Sequence, residues 1–232
     1  QILELSESGA YLPVEVLQTS DPDRGTFQLH QGIQRRIVIN LTHSCGASLP
    51  WDQIDNLRVG NVRLLDHKGR EVDTKDDVKE EIKLKLHLDP VMRSNTNGTT
   101  SIAIIGQWDS SLHNSLLLDR VTASKSKVRM RVAWDVRSKK LGHAPMKFSL
   151  DVNEVILTRS YVRQQSMFAA LWHTARITHG VSQVFSVGIK PTPVKRVGDL
   201  WRMNTGGDYV KGEENLFGWA PRGVSLVRDF IK

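Results

Sequence analysis

Trp108-Asp109-Ser110-Ser111-Leu112-His113 places the residue types of a hydrolase triad in one short run. A nucleophilic serine works when a base and an orienting acid converge on it from distant segments, and a glycine-framed elbow is the usual local sign. No glycine frames Ser110 or Ser111. The cluster therefore reads as a turn after a strand, in which the Asp and Ser side chains bond nearby backbone N–H groups and Trp108 packs inside. Trp108, Asp109, Ser110 and His113 are structural residues on this reading.

Other chemistries fail at the level of spacing. The eight histidines include no helical His-Glu-x-x-His pair, and His173 and His179 stand six apart across an expected helix end. The one cysteine, Cys45, excludes an internal disulfide and a cysteine zinc cage, and it fits a reducing compartment. No closely spaced glycines precede a Lys-Ser/Thr pair, so a phosphate-cradling loop is missing from this stretch. Calcium binding would need oxygen ligands converging from loops. The candidates are Asp21 with Asp23, and Asp73 with Asp76 and Asp77, but Lys75 and Lys79 interrupt the second group. The expectation is a chain with no catalytic, cofactor-binding or metal-ligating residue.

The elements that carry these residues are read from period-two alternation, the mark of half-buried strands. Ile82, Leu84, Leu86 and Leu88 alternate with Lys83, Lys85 and His87. Val128, Met130, Val132 and Trp134 alternate with Lys127, Arg129 and Arg131, which predicts one core face and one basic stripe. Arg36 to Leu41 repeats the pattern, and so does Phe148 to Val152. Val155 and Leu157 then keep the period in the opposite phase, which predicts a bulge near Asn153 and Glu154. Leu12 to Leu17, Leu57 to Leu65, Thr100 to Trp108 and Gln183 to Ile189 are weaker candidates. Turn clusters such as Asp21-Pro22-Asp23-Arg24-Gly25 and His67-Lys68-Gly69 separate them.

The fold expected is mainly β, an antiparallel, C2-like β-sandwich of about eight strands with one inserted helix near 166–176. It occupies residues 1–197. Residues 198–232 form an extended Gly/aromatic segment, carrying Trp201, Tyr209, Phe217 and Trp219, that wraps the sandwich or leads to a further element. No apolar run approaches the roughly 20 residues that span a bilayer. The chain starts on Gln1 and stops on Lys232 without a tail, and it reads as a piece from the middle of a longer protein.

Charge is unevenly distributed. Residues 1–120 carry 13 Lys and Arg against 17 Asp and Glu, whereas residues 121–232 carry 19 against 8. The basic half can face acidic protein, phosphoinositide or nucleic acid, and charge alone does not choose among them. Its basic stripe lacks the interleaved aromatic platform of a single-strand binder, so nucleic acid is not an expected partner.

Four ordered motifs resemble the conserved tail region of kinesin-3 motors. They are Trp108-Asp109-Ser110-Ser111-Leu112-His113 with Leu118-Asp119-Arg120-Val121-Thr122, then Tyr161-Val162-Arg163-Gln164-Gln165-Ser166-Met167-Phe168, then Asp208-Tyr209-Val210-Lys211-Gly212-Glu213-Glu214, and Trp219-Ala220-Pro221-Arg222-Gly223. They extend over about half the chain in the family's order, and the Asp-Leu-Trp-Arg-Met-Asn run from Asp199 looks closest to fungal members. In that family the region follows the motor, forkhead-associated and coiled-coil segments and precedes a pleckstrin-homology domain. The resemblance implies a cytoplasmic cargo-binding tail, associated with microtubules and vesicle or early-endosome surfaces through a parent that is a microtubule-stimulated ATPase. The partner implied is an endosomal cargo adaptor, Hook-type adaptors included.

The residues expected to meet a partner are Arg129, Arg131, Lys139 and Lys140, steering an acidic surface, with Trp201, Tyr209, Phe217 and Trp219 as buried anchors. One alternative is anionic-membrane binding by a C2-like sandwich. Another is an autoinhibitory or dimerising contact with other regions of the same motor.

Overall fold

A computed structural model describes residues 1–18, 24–44, 51–90, 92–141, 144–162 and 176–188. In chain order the first strands are β1 (Ile2–Leu5), β2 (Tyr11–Pro13), β3 (Val16–Gln18), β4 (Thr26–His30) and β5 (Arg35–His43). Next come β6 (Gln53–Leu65), β7 (Glu71–Val72), β8 (Val78–Lys83), β9 (Lys85–Leu86), β10 (Met92–Ser94) and β11 (Thr100–Trp108). A 3-10 turn at Ser110–His113 and a one-turn helix, α1 (Leu116–Asp119), precede β12 (Lys127–Arg137), β13 (Met146–Leu157) and β14 (Arg176–Thr178).

The strands form two sheets. The smaller runs β10-β11-β5-β1-β2, with β9 also on β11; the larger runs β14-β3-β4-β13-β12-β6-β7, with β8 also on β6. Ile2, Ile37 and Ile104 of the small sheet are buried, as are Phe27, Leu57, Met130 and Ile156 of the large one. The two layers touch where a Cβ added to Gly106 of β11 would meet Leu57 Cδ2 of β6 at 2.6 Å. Glycine is required there by proximity. This is the mainly β, two-layer sandwich expected from the alternation.

Several local expectations are corrected. Fourteen strands are present among the described residues, against about eight expected. Two of the expected strands split because one stretch of chain serves both sheets. Leu84 lies between β8 on the large sheet and β9 on the small one, with its N–H on Leu57 O at 2.8 Å. Likewise β2 pairs with β1, the chain turns at Val14 and Glu15, and β3 joins β4. Alternation survives such a corner, so periodicity alone shows one strand where two sheets share it.

The expected bulge near Asn153 and Glu154 is absent. β13 pairs with β12 without interruption from Val128↔Glu154 to Val136↔Met146. Glu154 and Ile156 continue the inward phase, whereas Val155 and Leu157 point outward half-buried. The phase change was read from apolarity, and a carboxylate occupying a core position concealed the true register. The sandwich is also not wholly antiparallel, because β13 runs parallel to β4 over Asn153↔Thr26 to Leu157↔His30.

Residues 183–188 form no strand; β14 supplies the nearby one. The helix expected near 166–176 lies outside the described residues except for Arg176, which opens β14. Residues Gln1–Gln183 make one compact unit and Val184–Lys232 a second. The expected boundary at 197 and 198 lies outside the described residues.

Candidate functional site

The outer face of the large sheet carries the charged residues singled out by alternation. β12 lies between β6 and β13, so Arg129, Arg131, Ala133 and Asp135 of β12 each have a residue opposite them on both sides. Arg131 stands opposite Asp151 and binds it twice, Nε to Oδ1 at 2.8 Å and Nη2 to Oδ2 at 3.2 Å. The bond to Asp151 raises the Arg131 pKa further. Arg58 reaches Asp135 at 3.2 Å and Glu81 at 3.1 Å, and Arg137 reaches Asp55 at 3.3 Å. Burial pushes the Asp135 carboxyl up, but hydrogen bonds from Asn56 and Arg58 more than offset this and hold it below the ordinary range.

The expected basic stripe is therefore a lattice of alternating sign. Arg129 differs from its neighbours: it donates through Nε to Asn153 Oδ1 at 3.4 Å, and its Nη1 lies 3.6 Å from Glu71. Both contacts are longer than the usual charge-assisted bond of about 2.7–2.9 Å. Lys139 and Lys140 lie on a 3-10 turn, Lys139–Leu141, just after β12, and Lys140 is exposed. Trp201, Tyr209, Phe217 and Trp219 lie outside the described residues.

Arg129 opens onto a groove that runs to the start of β4. Its lining includes Arg24, Gly25, Asp151 and Asn153, and its volume is about 340 Å³. Arg24 was missed because Asp21-Pro22-Asp23-Arg24-Gly25 reads only as turn punctuation. The parallel pairing of β4 with β13 carries it to Asn153, and no local pattern announces that pairing.

A second polar cluster is buried between the sheets. Glu4 Oε1 accepts from the His30 backbone N–H at 2.7 Å and from Arg35 Nε at 3.1 Å, while Arg35 Nη2 donates to His30 O at 2.7 Å. The Arg35 guanidinium also sits 5.3 Å from the centre of the Trp108 ring. Trp108 donates through Nε1 to His113 Nε2 at 3.1 Å, and burial lowers the His113 pKa. Glu154 is fully buried beside Arg35 and Glu4 with no hydrogen-bond partner for either carboxylate oxygen. Burial first, and the Glu4 charge besides, push its pKa up to about 7 against the opposing pull of Arg35.

The Trp108–His113 run is a pinned turn. Asp109 Oδ1 accepts from the Ser111 N–H at 3.0 Å and the Ser111 hydroxyl at 2.7 Å, capping the 3-10 turn. Ser115, fully buried, ties this turn to Asp76 O. His113 Nε2 is engaged by Trp108 and Asp109 by Ser111, so the triad types form no relay. Asp77 likewise caps Thr74 through its N–H and hydroxyl.

The family described as DUF3694, Kinesin protein, matches residues 10–161. The chain is similar to the human kinesin-like protein KIF1B, with 34% identity over 241 residues covering 98% of this chain and 13% of the relative. It is similar to the Caenorhabditis elegans kinesin-like protein unc-104, with 31% identity over 249 residues covering 98% of this chain and 15% of the relative. For the rat kinesin-like protein KIF1A the identity is 30% over 247 residues, covering 99% of this chain and 14% of the relative. The chain thus spans a small part of the length of these relatives. No solved structure matches it.

Proposed function

This chain belongs to the kinesin-3 family, and from that premise we propose that it is a non-catalytic docking domain that links the motor to its cargo through a protein adaptor. The parent is a microtubule-stimulated ATPase on this reading, working in the cytoplasm on vesicles and early endosomes. The supporting observation is the outer face of the large sheet, where long strands hold charged side chains in fixed register above a packed core. A surface held this way is pre-organised, so a partner does not bear the cost of ordering it. Its alternating signs fit a protein partner better than a uniform charge would, because like-charge juxtaposition rejects wrong partners.

The test is a whole motor lacking residues 1–232 with every other segment intact, scored for cargo recruitment in cells. Loss of recruitment with preserved microtubule gliding supports docking. Normal recruitment overturns it.

A further inference from the structure

We propose that the groove between the start of β4 and the outer face of β12 and β13 receives the carboxylates of an acidic segment of a protein partner, an inference that rests on the docking reading above. Two guanidiniums, Arg24 and Arg129, border it, with Asn153 and Asp151 between them on the lining. Arg131 grips Asp151 through two bonds, so that carboxylate is already matched. Arg129 holds only its two long contacts, and Arg24 makes no hydrogen bond or ion pair among the described residues. The groove thus contains more cationic donor capacity than the described residues consume. Asn153 accepts from Arg129 through Oδ1, which leaves its amide NH₂ as a further donor.

The backbone fixes where both side chains emerge. Gly25 has φ +99°, and a Cβ there would meet Val16 Cγ1 at 2.5 Å, so the chain must turn at this glycine and set Arg24 at the lip. Arg129 is fixed in register opposite Asn153 on one side and Arg63 on the other. A planar guanidinium carries five donors in a fork that matches a carboxylate, whereas a lysine offers a point charge. A groove of this volume with two such forks suits one or two acidic side chains projecting from an extended segment.

The surroundings select a protein over a membrane. Anionic bilayers are engaged by clusters of about 4–8 Lys or Arg on one face, but here Glu71 and Asp151 lie among the arginines. A continuous sheet of lipid phosphates would meet those carboxylates, while a peptide can place its acids selectively. The same argument disfavours a nucleic-acid backbone.

The test uses the 232-residue chain with fluorescent poly-glutamate and poly-lysine peptides, read by anisotropy at about 50 and about 150 mM NaCl. Vesicles of phosphatidylserine and phosphatidylcholine are run in parallel by co-sedimentation. The wild-type chain will bind poly-glutamate and not poly-lysine, and Arg24→Glu will weaken that binding about tenfold or more. Arg129→Glu will weaken it at least as far. Arg70→Glu, at an exposed arginine paired with Asp66 within its own turn, will leave it unchanged. Arg24→Glu decides the matter if Arg129→Glu lowers the melting midpoint, because Arg24 has no contact to lose among the described residues.

Equal poly-glutamate binding by wild type and Arg24→Glu overturns the groove, and so does Arg24-dependent binding to vesicles but not to the peptide. In the whole motor, recruitment that survives Arg24→Glu with Arg129→Glu but fails on deletion of residues 1–232 rejects the groove and keeps the docking domain. Recruitment that survives the deletion rejects both.

Discussion

Arginine–carboxylate pairs occur in two settings in this molecule, and the contrast shows what charge does in each. On the outer face of the large sheet, Arg131 and Asp151 are each more than one-third exposed. Water solvates both partners whether or not they touch, so the pair adds little and its members can be lent to a partner. Between the sheets, Arg35 and Glu4 are held with side chains 1% and 10% exposed, and Glu154 is buried beside them. There every charge needs an answer within the protein, because desolvation removes the alternative. The first region is suited to recognition and the second to holding the layers in register.

The sharpest way to break this contrast is to remove one arginine from each region. Arg35→Met takes the guanidinium from Glu4, which keeps only its His30 contacts, and is expected to lower unfolding free energy by about 3 kcal/mol, measured by urea denaturation. A loss below about 1 kcal/mol would show that the buried knot is as dispensable as a surface pair.

Glu154 makes the second comparison, through pH. Its folded pKa of about 7 lies above the ordinary 4.5. The folded state therefore holds its proton where the unfolded state has released it, so stability is full below pH 4.5 and is lost as pH rises through 7. The loss at pH 8 amounts to about 3 kcal/mol, at about 1.4 kcal/mol per pH step between the two values. Glu154→Gln is expected to abolish this slope between pH 5 and pH 8, and an unchanged slope would assign it to another group.

Gly60 tests whether the outer face depends on close strand approach. A Cβ there would lie 2.1 Å from Glu80 O, so the β8 backbone must shift, and with it Glu81, which holds Arg58. Gly60→Ala is expected to cost about 1–3 kcal/mol, with Arg58 losing its Glu81 contact in a crystal structure of the variant. The smallest effect is expected from Arg131→Met on the outer face, at most about 1 kcal/mol and shrinking with added salt. A larger loss would mean that the lattice is structural after all.

What the sequence determined was local. Alternation is a property of one strand, and it identified Thr100–Trp108 at its observed bounds and set Val128, Met130, Val132 and Trp134 inward. The Asp109 turn was equally legible, because a short side chain capping its own backbone needs no distant partner. The ordered motifs pointed to the family by the same linear logic, and the family match over residues 10–161 and the similar relatives show it.

Tertiary structure decided whatever depends on which strands meet. The parallel pairing of β4 with β13, the corner at Leu84 and the convergence of Arg24 on Arg129 join segments that no spacing relates. Alternation assigns a residue to a face without naming its neighbour across the sheet. Arg131 and Arg129 were thus equivalent by sequence, and only cross-strand register matched one to Asp151 and left the other to Asn153. Glu154 shows the limit most clearly: its type argued for solvent, but the register of β13 placed it inward, because a strand that buries Val152 and Ile156 must also bury the residue midway between them.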